Sequence, residues 1–164
     1  MVTYATCCSM LKELIETFRD GERGFALASH DNREPGIDDL LRDGEEWCRS
    51  AAIELQEQMR ALAVPTEEAA PAMPATFRGW VHVKTIRIFR DTKLILEECE
   101  RGLDYTQSRY QAAMACDLPE PTRPVAERQY QRLIALQSRM RVQRNQYRAT
   151  VVPQAIGYRS DRER

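Results

Sequence analysis

No apolar run in this chain approaches the ~18 residues that suggest a membrane span. The first ten residues lack the basic region, apolar stretch and small-residue cleavage site of a secretory signal, so the expected location is the cytoplasm. There are only two histidines, His30 and His82, and neither stands three residues after a glutamate, as a di-iron motif requires. The five cysteines, Cys7, Cys8, Cys48, Cys99 and Cys116, include no pair with the two-residue gap of a zinc knuckle or redox motif. In that setting they read as reduced, structural thiols that pack as small hydrophobes. No Ser-His-Asp grouping, phosphate-cradling glycine loop or nucleic-acid motif occurs. Few aromatics and few glycines favour helices over sheet.

What remains is a soluble composition: 43% hydrophobic and 30% charged over 164 residues, the size of one domain with a tail. A net charge of −1 gives no global pull toward nucleic acid or anionic lipid. The charge is unevenly spread. Residues 121–164 carry ten arginines against Glu127, Asp161 and Glu163, a balance of +7 that leaves −8 for the rest. A basic last helix beside an acidic body favours salt bridges within the molecule; docking of an acidic partner on Arg128, Arg132, Arg139 and Arg141 is the alternative.

Four segments repeat apolar residues at three- and four-residue spacing. The first runs from about Tyr4 to Ser29, with Leu11, Ile15, Phe18 and Phe25 on one face and Glu22 between the two phenylalanines. Gly21 and Gly24 flank that glutamate. Each costs a helix ~1 kcal/mol relative to alanine, so the pair implies a close approach or a bend. A turn at 30–36 leads to the second segment, from about Asp38 to Ala63, with Asp38 or Asp39 as its N-cap. Its face is Leu41, Glu45, Cys48, Ala52, Leu55, Met59 and Leu62. The third, from about Thr92 to Cys116, presents Leu96, Cys99, Leu103, Thr106, Tyr110 and Ala113. The fourth, from about Thr122 to Tyr147, presents Ala126, Tyr130, Leu133, Gln137 and Met140.

Short loops join the first pair of segments and the last pair. The middle connection is long, holds Pro65, Pro71 and Pro74, and predicts a short extra helix from Ala75 to about Arg90. A connection of that length lets the chain return along the bundle, leaving the second and third segments parallel, as in ferritin-like folds. The expectation is all-α: a ferritin-like, left-handed four-helix bundle over residues 1–148, with a crossover containing a short extra helix, followed by a C-terminal extension over 149–164.

Two stretches carry a resemblance. Trp80-Val81-His82-Val83-Lys84 followed by Ile95-Leu96-Glu97-Glu98-Cys99-Glu100-Arg101-Gly102 resembles an uncharacterised bacterial family of ferritin-like four-helix-bundle proteins, a domain of unknown function. Arg19-Asp20-Gly21-Glu22-Arg23-Gly24-Phe25 is similar to the first helix of that family, and the likeness runs over about residues 8–145. It implies a ferritin-like fold in a bacterial cytoplasmic protein, and no established activity. The family usually continues Gly-Glu-Asp after Arg101, where this chain has Gly102-Leu103-Asp104, and it often has a histidine near Gln137.

Inward carboxylates are how such bundles hold metal: one glutamate from each of two helices and a Glu-x-x-His from each of the others. Glu22 meets the first requirement, whereas Glu45 leads to Cys48 rather than a histidine, and the last two segments put Leu103, Leu133 and Gln137 in the corresponding places. A complete di-iron site is therefore not expected. A reduced mononuclear site for iron or zinc would use Glu22, Glu45 and Cys48. The competing expectation is that both glutamates pair with arginines such as Arg101 or Arg139, because unpaired buried carboxylates are costly; Gln137 is the other candidate to bond them across the core. Cys99 lies between Glu98 and Glu100, which disfavours its thiolate. Trp47 and Trp80 fall off the main stripes, where they would anchor a dimer interface or the crossover helix. The functional expectation is a non-catalytic structural or interaction protein without a cofactor, self-associating as a homodimer or binding a protein partner. Metal binding is the alternative.

Overall fold

The computed structural model describes residues 4–62, Trp80 and residues 92–156, with side chains described as far as Tyr147. The described part is helical throughout, with four helices and no strand: α1 (Tyr4–Asp31), α2 (Pro35–Ala61), α3 (Thr92–Met114) and α4 (Arg123–Ile156). The short helix expected over 75–90 lies outside the described residues, as does the end of the chain from 157. The helix of α4 runs on to Ile156, so no break marks the expected boundary between bundle and extension at 148.

The α1–α2 turn is built by Asn32. Its amide donates to the Glu34 carbonyl at 2.7 Å and to Asp38 Oδ1 at 2.9 Å, while its Oδ1 accepts from the Glu34 N–H at 3.2 Å. These bonds let α2 begin earlier than its acidic pair suggests. Glu34 is the N-cap without a side-chain bond, and Pro35 opens the helix, where its missing N–H costs nothing. Asp38 therefore sits in the first turn and is not the cap.

Named contacts give the helix directions. Thr92 at the start of α3 donates to Asn32 after α1 (3.5 Å), and Arg109 late in α3 bonds Glu13 early in α1 (3.0 Å), so α1 and α3 are antiparallel. Gln129 early in α4 bonds Glu54 late in α2 (2.7 Å), and Arg139 bonds Asp43 (2.7 Å), so α2 and α4 are antiparallel as well. The neighbouring pairs are α1–α2, α1–α3, α3–α4 and α2–α4.

The core follows the apolar stripes. Leu11, Phe18, Phe25, Leu41, Leu55, Leu96, Leu103, Tyr110, Leu133 and Met140 are all fully enclosed. Phe18 meets Trp47 edge-on at 5.1 Å and Tyr110 at 5.4 Å. Trp47 is thus a core residue, 5% exposed, and is already buried within the monomer. Two polar groups of this interior have partners: the Tyr110 hydroxyl donates to Gln129 (2.8 Å), and Thr106 donates to the Gly102 carbonyl (2.8 Å). Leaving such groups unpaired would cost about 1–3 kcal/mol each.

Candidate functional site

The three residues proposed as ligands part company at the α1–α2 seam. Glu22 and Glu45 do come together, through Arg49. Its Nε donates to Glu22 Oε1 and its Nη2 to Glu45 Oε1, both at 2.8 Å, with Glu46 at 3.5 Å. The partner is therefore neither Arg101, which pairs with Glu98, nor Arg139, which pairs with Asp43. The two carboxylates are 31% and 25% exposed, so they line the outer groove between α1 and α2 rather than the core. Hydrogen bonding to Glu22, then the charge of Glu22, raise the pKa of the guanidinium further, which keeps the clamp charged.

Cys48 lies on the other side of the seam, 1% exposed, against Gly21 and the core. Burial, then the charge of Glu22, raise its pKa well above that of an ordinary thiol, with Cys99 and Glu45 adding to the effect. Cys99 is fully enclosed and raised in the same way, by burial and then by Glu98. Both thiols are thus held neutral, which disfavours nucleophilic or redox work. Among the described residues, no group of three or more His, Cys, Asp or Glu side chains is placed to hold a metal ion.

What sits beside Cys48 is Trp80. Its indole is 5% exposed and stacks obliquely on Phe25 at 4.9 Å. Three glycines make its seat. A Cβ on Gly102 would lie 2.5 Å from two indole ring carbons, one on Gly24 2.7 Å from the ring, and one on Gly21 3.3 Å from the ring and 2.8 Å from Cys48 Sγ. The glycines on either side of Glu22 therefore admit an aromatic side chain from the connecting segment. Of the two roles open to Trp80, this is the anchoring of that segment. The indole Nε1 has no hydrogen-bond partner among the described residues.

Reading the sequence missed one buried carboxylate. Glu100, read in the sequence only as a neighbour of Cys99, is 6% exposed. It is covered by two arginines of α4, Arg144 at 2.5 Å and Arg141 at 3.4 Å. The basic last helix is in large part answered inside the molecule in this way. Arg128 pairs with Glu54, and Arg139 with Asp43. Gln137 does not reach Glu22 or Glu45; its amide donates to Asp104 Oδ1 and Gln107 Oε1, both at 3.0 Å. The signal for Glu100 was present as excess arginine one helix away.

Two open grooves flank this core. One, of about 370 Å³, lies over Glu22, Glu45 and Arg49 and is bordered by Arg19, Arg23 and Ile53. The other, of about 280 Å³, runs between α2 and α4 over Trp47, with Asp43, Arg132, Leu136 and Arg139 on its walls.

By its fold this is an all-helical four-helix protein whose interior at the level of Cys48 is filled by an inserted tryptophan. The chain belongs to the family known as Domain of unknown function (DUF2383), whose profile matches residues 6–116. The match takes in α1, α2, the Trp80 segment and α3, and ends before α4, short of the 8–145 expected from the sequence. No curated protein matches the chain. No helix among the described residues is long and apolar enough to cross a membrane.

Proposed function

We propose that this protein is a ferritin-like bundle that works as a non-catalytic, self-associating structural or interaction protein of the bacterial cytoplasm. The ferritin-like reading is supported by the helix directions. With α1 antiparallel to α3 and joined to α2 by a short turn, α2 and α3 run the same way, the arrangement that a crossover connection leaves. The observation that carries the non-catalytic reading is the filled interior. Where a bundle of this kind would converge carboxylates, this one seats Trp80 on Gly21, Gly24 and Gly102, and its two glutamates are turned outward onto Arg49.

Self-association is assigned to the outer α1–α2 face. Ile53 is 50% exposed there, beside Ala26 and Ala52. Around it stand Arg19, Arg23 and Arg49 on one hand and Glu22 and Glu45 on the other. A patch carrying both signs around an apolar centre can complement itself across a two-fold axis. Sedimentation equilibrium at micromolar concentration tests this. A dimer mass that falls to the monomer mass in Ile53→Glu is the expected result, and a monomer mass for the unmodified chain would overturn it.

A further inference from the structure

We propose a second site, apart from the self-association face and independent of it: a soft-metal site for a monovalent copper ion formed by the sulfurs of Cys7, Met10 and Cys116. Cys7 and Met10 stand three residues apart at the start of α1, which puts them on one helical face. Cys116 follows the end of α3, and because α1 and α3 are antiparallel it arrives at the same end of the bundle. Its Sγ lies 3.1 Å from Met10 Sδ. Cys7 and Cys116 are each 2% exposed, and Met10 is half-buried.

The Cys7 thiol faces Cys116 closely enough to affect its ionisation. Burial, then hydrogen bonding with Cys7 and the charge of Cys7, push the Cys116 thiol up to about 11. The Met10 thioether on α1 and the Cys116 thiol after α3 thus meet at one end of the bundle across 106 positions of sequence, with Cys7 one helical turn from Met10.

The three side chains pack with the apolar core, but as a hydrogen bond the sulfur–sulfur contact is weak. A thiol is a weak donor and a thioether a weak acceptor, so the contact adds little to stability. The donor set instead selects its ligand. Two thiols and a thioether, with no imidazole or carboxylate among them, suit Cu(I) over the harder divalent ions. Zinc sites draw on thiolate, imidazole and carboxylate rather than thioether. Binding would exchange the Cys7 and Cys116 protons for one Cu(I) ion, with both protons leaving to solvent and no change of oxidation state. Two thiolates and Cu(I) leave one negative charge. Arg123 is at hand to balance it, its Nη2 donating to the Cys116 carbonyl at 2.9 Å. Of the three other buried thiols, Cys48 lies at a different level of the bundle beside Trp80, with Cys99 near it, and these two serve as an internal control.

The test is an anaerobic titration of the reduced protein with Cu(I) against a chromophoric Cu(I) chelator. One equivalent retained per chain is expected, with affinity lowered in Cys7→Ser and in Cys116→Ser by at least the ~10–100-fold that supporting partners of a metal site are worth. Met10→Leu should weaken binding less, and Cys99→Ala should leave it unchanged. Failure of the unmodified protein to hold Cu(I) against the chelator would overturn the proposal, as would loss of binding in Cys99→Ala. X-ray absorption at the copper edge of the loaded, unmodified protein needs no variant to fold. It should show sulfur neighbours only, and nitrogen or oxygen in the first shell would equally overturn it.

Discussion

Replacing Gly102 by alanine sets two effects of opposite sign against each other. Alanine is the better helix former, and in an unhindered helix the exchange stabilises by ~1 kcal/mol. At this position the new Cβ would lie 2.5 Å from two carbons of the Trp80 ring. The obstacle is a rigid ring wedged against Phe25, not the free end of a flexible side chain, so it cannot swing aside. Overpacking of this kind costs about 1–3 kcal/mol. The clash should therefore match or exceed the propensity term and leave Gly102→Ala less stable by up to ~2 kcal/mol. In a Trp80→Ala background the obstacle is gone and only propensity remains, so the same exchange should stabilise by ~1 kcal/mol. Trp80→Ala alone should cost about 3–5 kcal/mol, the range for emptying a buried tryptophan. Urea unfolding of the four proteins of this cycle, read by far-UV circular dichroism, gives the coupling directly, about 1–3 kcal/mol between the two sites. If Gly102→Ala has the same sign in both backgrounds, Trp80 does not occupy the seat and the account of the three glycines fails.

The buried carboxylate makes a second test. Arg144→Met should destabilise by about 2–4 kcal/mol, because it strips Glu100 of its nearer partner, and more than Arg141→Met, whose guanidinium is 57% exposed. Adding Glu100→Met should restore part of the loss, and calorimetric Tm values of the single and double variants check it. The raised pKa of Cys48, Cys99, Cys116 and Tyr110 gives a third. The folded state keeps protons that the unfolded chain releases above the ordinary thiol value of 9.0. Stability should therefore be whole below that pH and fall as pH rises through it, by up to ~1.4 kcal/mol per pH unit for each group. For Cys116 the loss ends near its folded value of about 11; urea midpoints should hold between pH 7.5 and 9 and fall between 9 and 10.5, with a shallower fall in Cys48→Ala. Lastly, the Arg49 clamp is open to solvent. A double-mutant cycle of Glu22→Gln and Arg49→Met should show a small coupling that vanishes in 1 M salt, and a coupling that persists would mean the pair is more enclosed than it stands here.

The stripes of the four helices were legible because apolar side chains announce themselves. All six residues read on the face of α3 are buried, and so are four of the five on α4. The misplacement of Glu22 and Glu45 has one physical cause. Each follows a buried glycine, Gly21 and Gly44, which holds the core position itself. A glycine adds no hydrophobic signal, so a search for apolar spacing slides one residue on and takes the glutamate for the inward group. Trp80 reads in the sequence as a possible anchor of the crossover, but nothing local links it to Gly102. Glu100 looked outward because its own helix does not cover it; its cover comes from Arg141 and Arg144 on α4.

The seat of Trp80 also bears on how the bundle comes together. Helices that meet along smooth apolar stripes can slide past one another with little change in buried area. An indole held against Gly21 and Gly24 on one helix and Gly102 on the other permits no such sliding, since a shift of one residue along either helix would drive a side chain into the ring. The seat is incomplete on either helix alone and exists only once α1 and α3 lie side by side. The tryptophan therefore acts as a gauge pin between the two helical hairpins, setting their axial alignment and tying both to a single unfolding step.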